Sequence, residues 1–104
     1  MTEDNINLLA AQTLRKAADR LDTHGWTQGQ AGPEEGPNCA YGACMWTLGG
    51  HESFRFGTLS SVIEAFDRAT GEAMIGGNDR PESTKESVQA KLREAAETLE
   101  NVYV

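Results

Sequence analysis

The sequence predicts a mainly α-helical domain, a compact arrangement of four helices formed by a single unit spanning residues 1–104. Two observations carry that expectation. Apolar residues recur at three- and four-residue steps in long segments near both ends of the chain, and Gly, Pro and Asx clusters punctuate the stretches between them. A chain of 104 residues has room for one modest hydrophobic core. Its 38% hydrophobic content includes many alanines and its aromatic content is 7%, which implies a thin core of closely packed helices.

The first helix is expected over residues 5–24. Ile6, Leu9, Ala10, Leu14, Ala17, Ala18 and Leu21 share one stripe, Asp4 or Asn5 can cap the start, and Gly25 suits a left-handed position after the end. From Trp26 to Pro37 the glycines and prolines break regular helix, leaving a loop with a short extended piece at 26–30. Asn38 then offers an N-cap for a second helix over 38–48, whose Cys39, Gly42, Ala43 and Trp46 share a face where another helix can come close. Trp46 is expected to be buried and Trp26 to pack over the end of the first helix. Gly49-Gly50 ends the second helix, and Phe54-Arg55-Phe56 alternates as an extended segment would.

Thr58 opens a third helix over 58–70, with Leu59, Val62, Ile63 and Phe66 on one stripe and Gly71 behind it. Residues 72–77 suit a brief buried strand or a tight connection, which allows a β-hairpin or two-stranded pairing with the Trp26 region. Asn78-Asp79-Arg80-Pro81 reads as a turn. Ser83 and Glu86 make a capping box for a last helix over 83–101, followed by Val88, Leu92, Ala95, Leu99 and Val102 along one stripe.

Charge excludes one class of function. The formal net charge is −7, and it divides as −1, −2, −2 and −2 over residues 1–30, 31–51, 52–81 and 82–104. Direct nucleic-acid binding needs clustered Lys and Arg, which this pattern lacks, and a dispersed acidic excess serves solubility. The acidic N-terminus resembles neither a secretory nor a transit peptide, and no apolar run approaches the ~20 residues that span a bilayer. A cytoplasmic protein is therefore expected. Cys39 and Cys44 lie ~8–9 Å apart if both are helical, beyond disulfide reach, so reduced thiols are expected.

His24-Gly25-Trp26, Asn38-Cys39-Ala40-Tyr41-Gly42-Ala43, and Asn78-Asp79 followed by Pro81, Thr84, Val88, Leu92 and Ala95 carry a resemblance. Over most of the chain, the sequence resembles an uncharacterised family of small actinobacterial and actinophage proteins. The resemblance implies a bacteriophage or actinobacterial source and brings no activity with it. This chain departs from the family pattern at Gly77, where a tryptophan usually precedes Asn-Asp, and at Thr27, where a cysteine often follows Gly-Trp. A site built on those side chains would be altered here.

The sharpest catalytic arrangement available is a Cys39 thiolate at a helix N-terminus, with His24 or His51 as base and Asn78 orienting it. The same residues equally suit a small buried helix-start residue, two solvent-facing histidines and a turn cap. A zinc site from Cys39, Cys44, His24 and His51 is disfavoured because the cysteines point about 140° apart on a helix, and no metal or other cofactor is expected. Backbone N–H groups of Gly76-Gly77-Asn78-Asp79-Arg80, with Arg80 as counter-charge, can receive an anion or small ligand, although such turns more often secure a helix entry. Phe54, Arg55, Phe56 and Trp26 are residue types that dominate protein interfaces when exposed. The reading these points favour is a small non-catalytic protein that modulates a host or phage partner protein by binding it, with homo-oligomerisation compatible. A cysteine-dependent enzyme or thiol sensor centred on Cys39 and a small-ligand protein using Asn78, Asp79 and Arg80 are the alternatives.

Overall fold

A computed structural model describes residues 3–55 and 57–101, with side chains described for 5–53 and 57–101. Phe56, Val102 and the side chains of Asp4, Phe54 and Arg55 lie outside that description. Among the described residues the chain forms six helices: α1 (Glu3–His24), α2 (Ala40–Thr47), α3 (His51–Arg55), α4 (Thr58–Thr70), α5 (Met74–Asn78) and α6 (Lys85–Asn101). The expected helical class is correct, while the four-helix count is two short among the described residues, because α3 and α5 form in stretches that the sequence leaves unassigned or open between strand and tight connection.

Helix α1 begins at Glu3, before the expected cap at Asp4 or Asn5, and ends where expected, with Gly25 at φ +95°. Its alanine-rich face, with Ala10, Ala11, Leu14, Ala17, Ala18 and Leu21 all buried, packs on Val88, Leu92, Ala95, Ala96 and Leu99 of α6. Small side chains there let the two backbones approach closely. Polar pairs along the seam fix its direction. Arg15 meets Glu100, Arg93 Nη2 donates to Asp19 at 3.1 Å, and Lys85 Nζ lies 3.3 Å from Asp22. The numbers rise on one helix as they fall on the other, so α1 and α6 are antiparallel. Within the seam, buried Gln89 donates from Nε2 to the Ala18 carbonyl at 2.9 Å. Helix α4 presents Leu59, Val62, Ala65 and Phe66 to the same core, and α2 adds Ala40, Ala43, Cys44 and Met45.

Helix α4 keeps its expected bounds, and Gly71 closes it in the left-handed conformation at φ +73°. The capping box of α6 lies one residue later than expected. Thr84 N donates to Ser87 Oγ at 2.9 Å and Ser87 N donates to Thr84 Oγ1 at 3.0 Å, while Ser83 turns away to donate to the Gly77 carbonyl. At α2 the N-cap is Cys39, whose Sγ accepts from Gly42 N at 3.4 Å; Asn38 is not the cap.

No strand is found among the described residues. The Trp26 region instead makes one isolated parallel bridge with Asn38, in which Thr27 N donates to Asn38 O and Asn38 N to Gly25 O. The expected pairing with 72–77 does not form, because that stretch is consumed by α5. The close approach anticipated at Gly42 is real but is made by the loop and not by a helix: a Cβ there would sit 1.9 Å from the Ala31 carbonyl oxygen. Trp46 is partly buried, not fully buried as expected, and its Nε1 donates to the Gly32 carbonyl at 3.0 Å.

Candidate functional site

The stretches that look distinctive in the sequence meet in space around Asn78. This residue ends α5 and is 2% exposed. Its Oδ1 accepts from the Trp26 indole Nε1 at 2.8 Å and from Ala40 N, the first amide of α2, at 3.0 Å. Its Nδ2 donates to the Thr27 carbonyl at 3.2 Å and to Asp79 Oδ1 at 2.9 Å. Two acceptances and two donations use the full bonding capacity of the side-chain amide. Gln28 adds two more links from Nε2, to the Asn78 carbonyl at 3.0 Å and the Arg80 carbonyl at 2.8 Å, and Gly29 N donates to Asp79 Oδ1 at 2.9 Å. The backbone donor from Gly29, with the Asn78 amide behind it, holds the Asp79 carboxyl below its ordinary range.

A second buried amide organises the other half of the loop. Asn38, fully buried, donates from Nδ2 to the carbonyls of Ala31 at 3.0 Å and Pro33 at 2.9 Å, and accepts from Arg20 Nε at 3.2 Å. Arg20 also donates to the Glu34 carbonyl. Asn38 and Asn78 thus tie residues 25–39 to α1, α2 and α5 without any strand.

Cys39 and Cys44 are both free and buried. Burial pushes the Cys39 thiol up, against the weaker downward pull of the Gly42 and Tyr41 amides, and it pushes the Cys44 thiol up to about 12. The dipole effect expected to activate Cys39 is therefore outweighed by loss of water. His51 begins α3 and sets its ring against the edge of Trp46, with centroids 5.3 Å apart. Trp46 lies seven residues beyond Cys39, about 10 Å along α2. His24 ends α1, and the Cys39 sulfur accepts from Gly42 N. Among the described residues no cluster of three or more His, Cys, Asp or Glu could hold a metal ion.

The backbone around Asn78 is likewise engaged. Gly77 N donates to Ala73 O, Asp79 N to Ile75 O and Arg80 N to Gly77 O, so those three amides face carbonyls and not an open anion cradle. Trp26 is partly buried and held to Asn78 by its indole nitrogen.

Beside this junction, between α2, α4, α5 and α6, lies a cavity of about 300 Å³. Its floor is apolar: Ala40, Phe66, Met74, Val88 and Leu92, all buried. Its rim carries Glu72, Arg80, Glu82 and Lys91, with Ser83 and Ser87. Arg80 Nη1 and Lys91 Nζ each lie 3.7 Å from Glu72, on different carboxylate oxygens. A pocket of this size with a greasy floor and a few polar groups at the mouth is at the lower end of what small-molecule sites use. Sequence reasoning reached Asn78 and Arg80 but missed Glu72 and Lys91, which are distant in the chain and carry no local spacing signal.

Fold and site together define a mainly helical protein whose 25–39 loop is fastened by two buried asparagines beside an apolar cavity. The chain belongs to a family of unknown function, DUF6197, whose model matches residues 6–98. No curated protein and no solved structure matches it. Among the described residues no helix is long and apolar enough to cross a membrane.

Proposed function

We propose that this chain is a non-catalytic binding protein and that the cavity between α2, α4, α5 and α6 is its binding site. The observation that carries the reading is the floor itself: Phe66, Met74, Val88 and Leu92 face an opening of about 300 Å³ that helix packing leaves unfilled. The mouth is open to solvent between exposed charged side chains, and an apolar occupant would shield that floor from water. The two thiols point the same way, because burial keeps both protonated and so weakens them as nucleophiles.

The test is an NMR titration with a neutral apolar probe such as isobutanol. The methyl signals of Met74, Val88 and Leu92 are expected to shift saturably. Gly77 supplies a blocking variant, because a Cβ there would meet only Glu72 Oε2, at 3.9 Å, and the residue is not at positive φ. Gly77→Leu should remain folded and abolish those shifts. Saturable shifts that persist unchanged in Gly77→Leu, or none in the parent, would remove the cavity from the reading.

A second reading, modulation of a phage or host partner protein, draws support from Ile75, which is 50% exposed on α5. Recovery of a defined partner by the parent chain, lost in both Ile75→Asp and Arg55→Ala, would favour it. Equal recovery by all three would count against it.

A further inference from the structure

We infer that the cavity accepts a free apolar α-amino acid in its zwitterionic form; the inference rests on the cavity being a binding site, and it names the occupant. The argument begins with the charges at the mouth. Arg80 and Lys91 supply two positive charges and Glu72 and Glu82 two negative ones, so the formal sum at the rim is zero. A ligand bearing one net charge would unbalance that set. A net anion would also meet the repulsion of a chain carrying −7 overall.

The geometry favours a molecule that offers both signs together. Arg80 Nη1 and Lys91 Nζ converge on Glu72, yet each stands 3.7 Å away, outside the usual hydrogen-bond range for such donors. Both cations are thus drawn to one place with donor capacity left for a second carboxylate. Among the described residues Glu82 makes no ion pair, which leaves its carboxylate to receive an ammonium group. An α-amino acid presents its carboxylate and ammonium on one carbon, and its side chain then extends onto Phe66, Met74, Val88 and Leu92. A volume of about 300 Å³ suits a small ligand whose apolar part is one side chain. Leucine, methionine and phenylalanine each offer one apolar side chain of that kind.

Three compounds sharing the leucine skeleton separate the possibilities when titrated into the full-length chain and followed by amide shifts of Met74, Gly77, Val88 and Leu92. These are leucine, its deaminated acid 4-methylpentanoate, and its decarboxylated amine isopentylamine. Leucine is expected to bind roughly tenfold or more tightly than either, since losing one charged partner at a site of this kind weakens binding by about that factor. Lys91→Met should reduce leucine affinity roughly tenfold. If the acid or the amine binds as tightly as leucine, or if Lys91→Met leaves leucine affinity unchanged, the zwitterion inference is overturned while the cavity reading stands on the neutral probe. If neither leucine nor the neutral probe binds at millimolar concentration, both are overturned.

Discussion

Removing the Asn78 amide should be among the most damaging single changes in this chain. Asn78→Ala deletes an acceptor used by the Trp26 indole and by Ala40 N, and a donor used by the Thr27 carbonyl. A buried group left without its partner costs about 1–3 kcal/mol. Ala40 is 2% exposed and belongs at the upper end of that range, while Trp26 and Thr27 are partly exposed and belong at the lower end. The sum is about 3–5 kcal/mol, against a total stability of about 5–15 kcal/mol for a domain of this size. Urea unfolding followed by far-ultraviolet circular dichroism and by tryptophan emission should show the midpoint fall by roughly 2 M, taking a slope near 1.5–2 kcal/mol/M. Trp26→Phe removes one donor and leaves a smaller ring against the core, so it should cost at least about 1 kcal/mol, and the double variant should cost clearly less than the sum of the two singles because both act on one bond. A loss below about 1 kcal/mol for Asn78→Ala would refute the view that this side chain fastens the loop, whatever the fate of the cavity.

Other expectations follow from the same contacts. Gly42→Ala places a Cβ 1.9 Å from the Ala31 carbonyl oxygen, so loop and helix must separate; denaturation should show a loss of about 1–3 kcal/mol or more. Gly76→Ala meets only the Ala73 Cβ, at 4.0 Å, inside α5, and should raise stability by about 0.5–1 kcal/mol in the same assay. The Cys44 thiol, pushed up from 9.0 to about 12 by burial, binds its proton more tightly folded than unfolded. Its contribution is therefore complete below about pH 9 and declines as pH rises toward 12, so the alkaline loss of stability measured by chemical denaturation should be shallower in Cys44→Ala than in the parent. At neutral pH, native-state alkylation with iodoacetamide should modify neither cysteine without prior unfolding.

Much of the helical frame is legible from local rules because its boundaries rest on local chemistry. Gly25 and Gly71 end α1 and α4 through left-handed backbone that other residues resist, and the apolar stripes of α1, α4 and α6 face the core as their spacing requires. Helix α5 is hidden for the opposite reason. Five residues containing Gly76-Gly77 cannot repay helix nucleation alone. The segment is held from outside, by Asp67 Oδ1 accepting from Met74 N at 3.0 Å and by the contacts of Asn78. The role of Asn38 is hidden likewise: an Asx residue before a helix reads as a cap, while its actual partners are the carbonyls of Ala31 and Pro33 and the guanidinium of Arg20. At Cys39 the sequence permits both a reactive and a buried thiol, because dipole and spacing are local properties and burial, which the fold supplies, is not.

The junction and the cavity share a wall, which makes their roles separable by experiment. Ala40 and Asn78 line the cavity and also take part in the bonds that fasten the loop, so loosening Asn78 should impair ligand binding and stability together. Gly77 lies on the same wall, its carbonyl accepts from Ser83 Oγ, and a Cβ added there would meet only Glu72 Oε2, at 3.9 Å. Gly77→Leu should therefore remove binding while stability holds or rises, since a glycine is replaced within a helix. That divergence distinguishes a cavity kept open for an occupant from one left as a by-product of fastening a long loop. If filling the space raises stability and leaves every ligand response of the parent in place, the void is only a packing defect and the binding must be sought elsewhere on the surface.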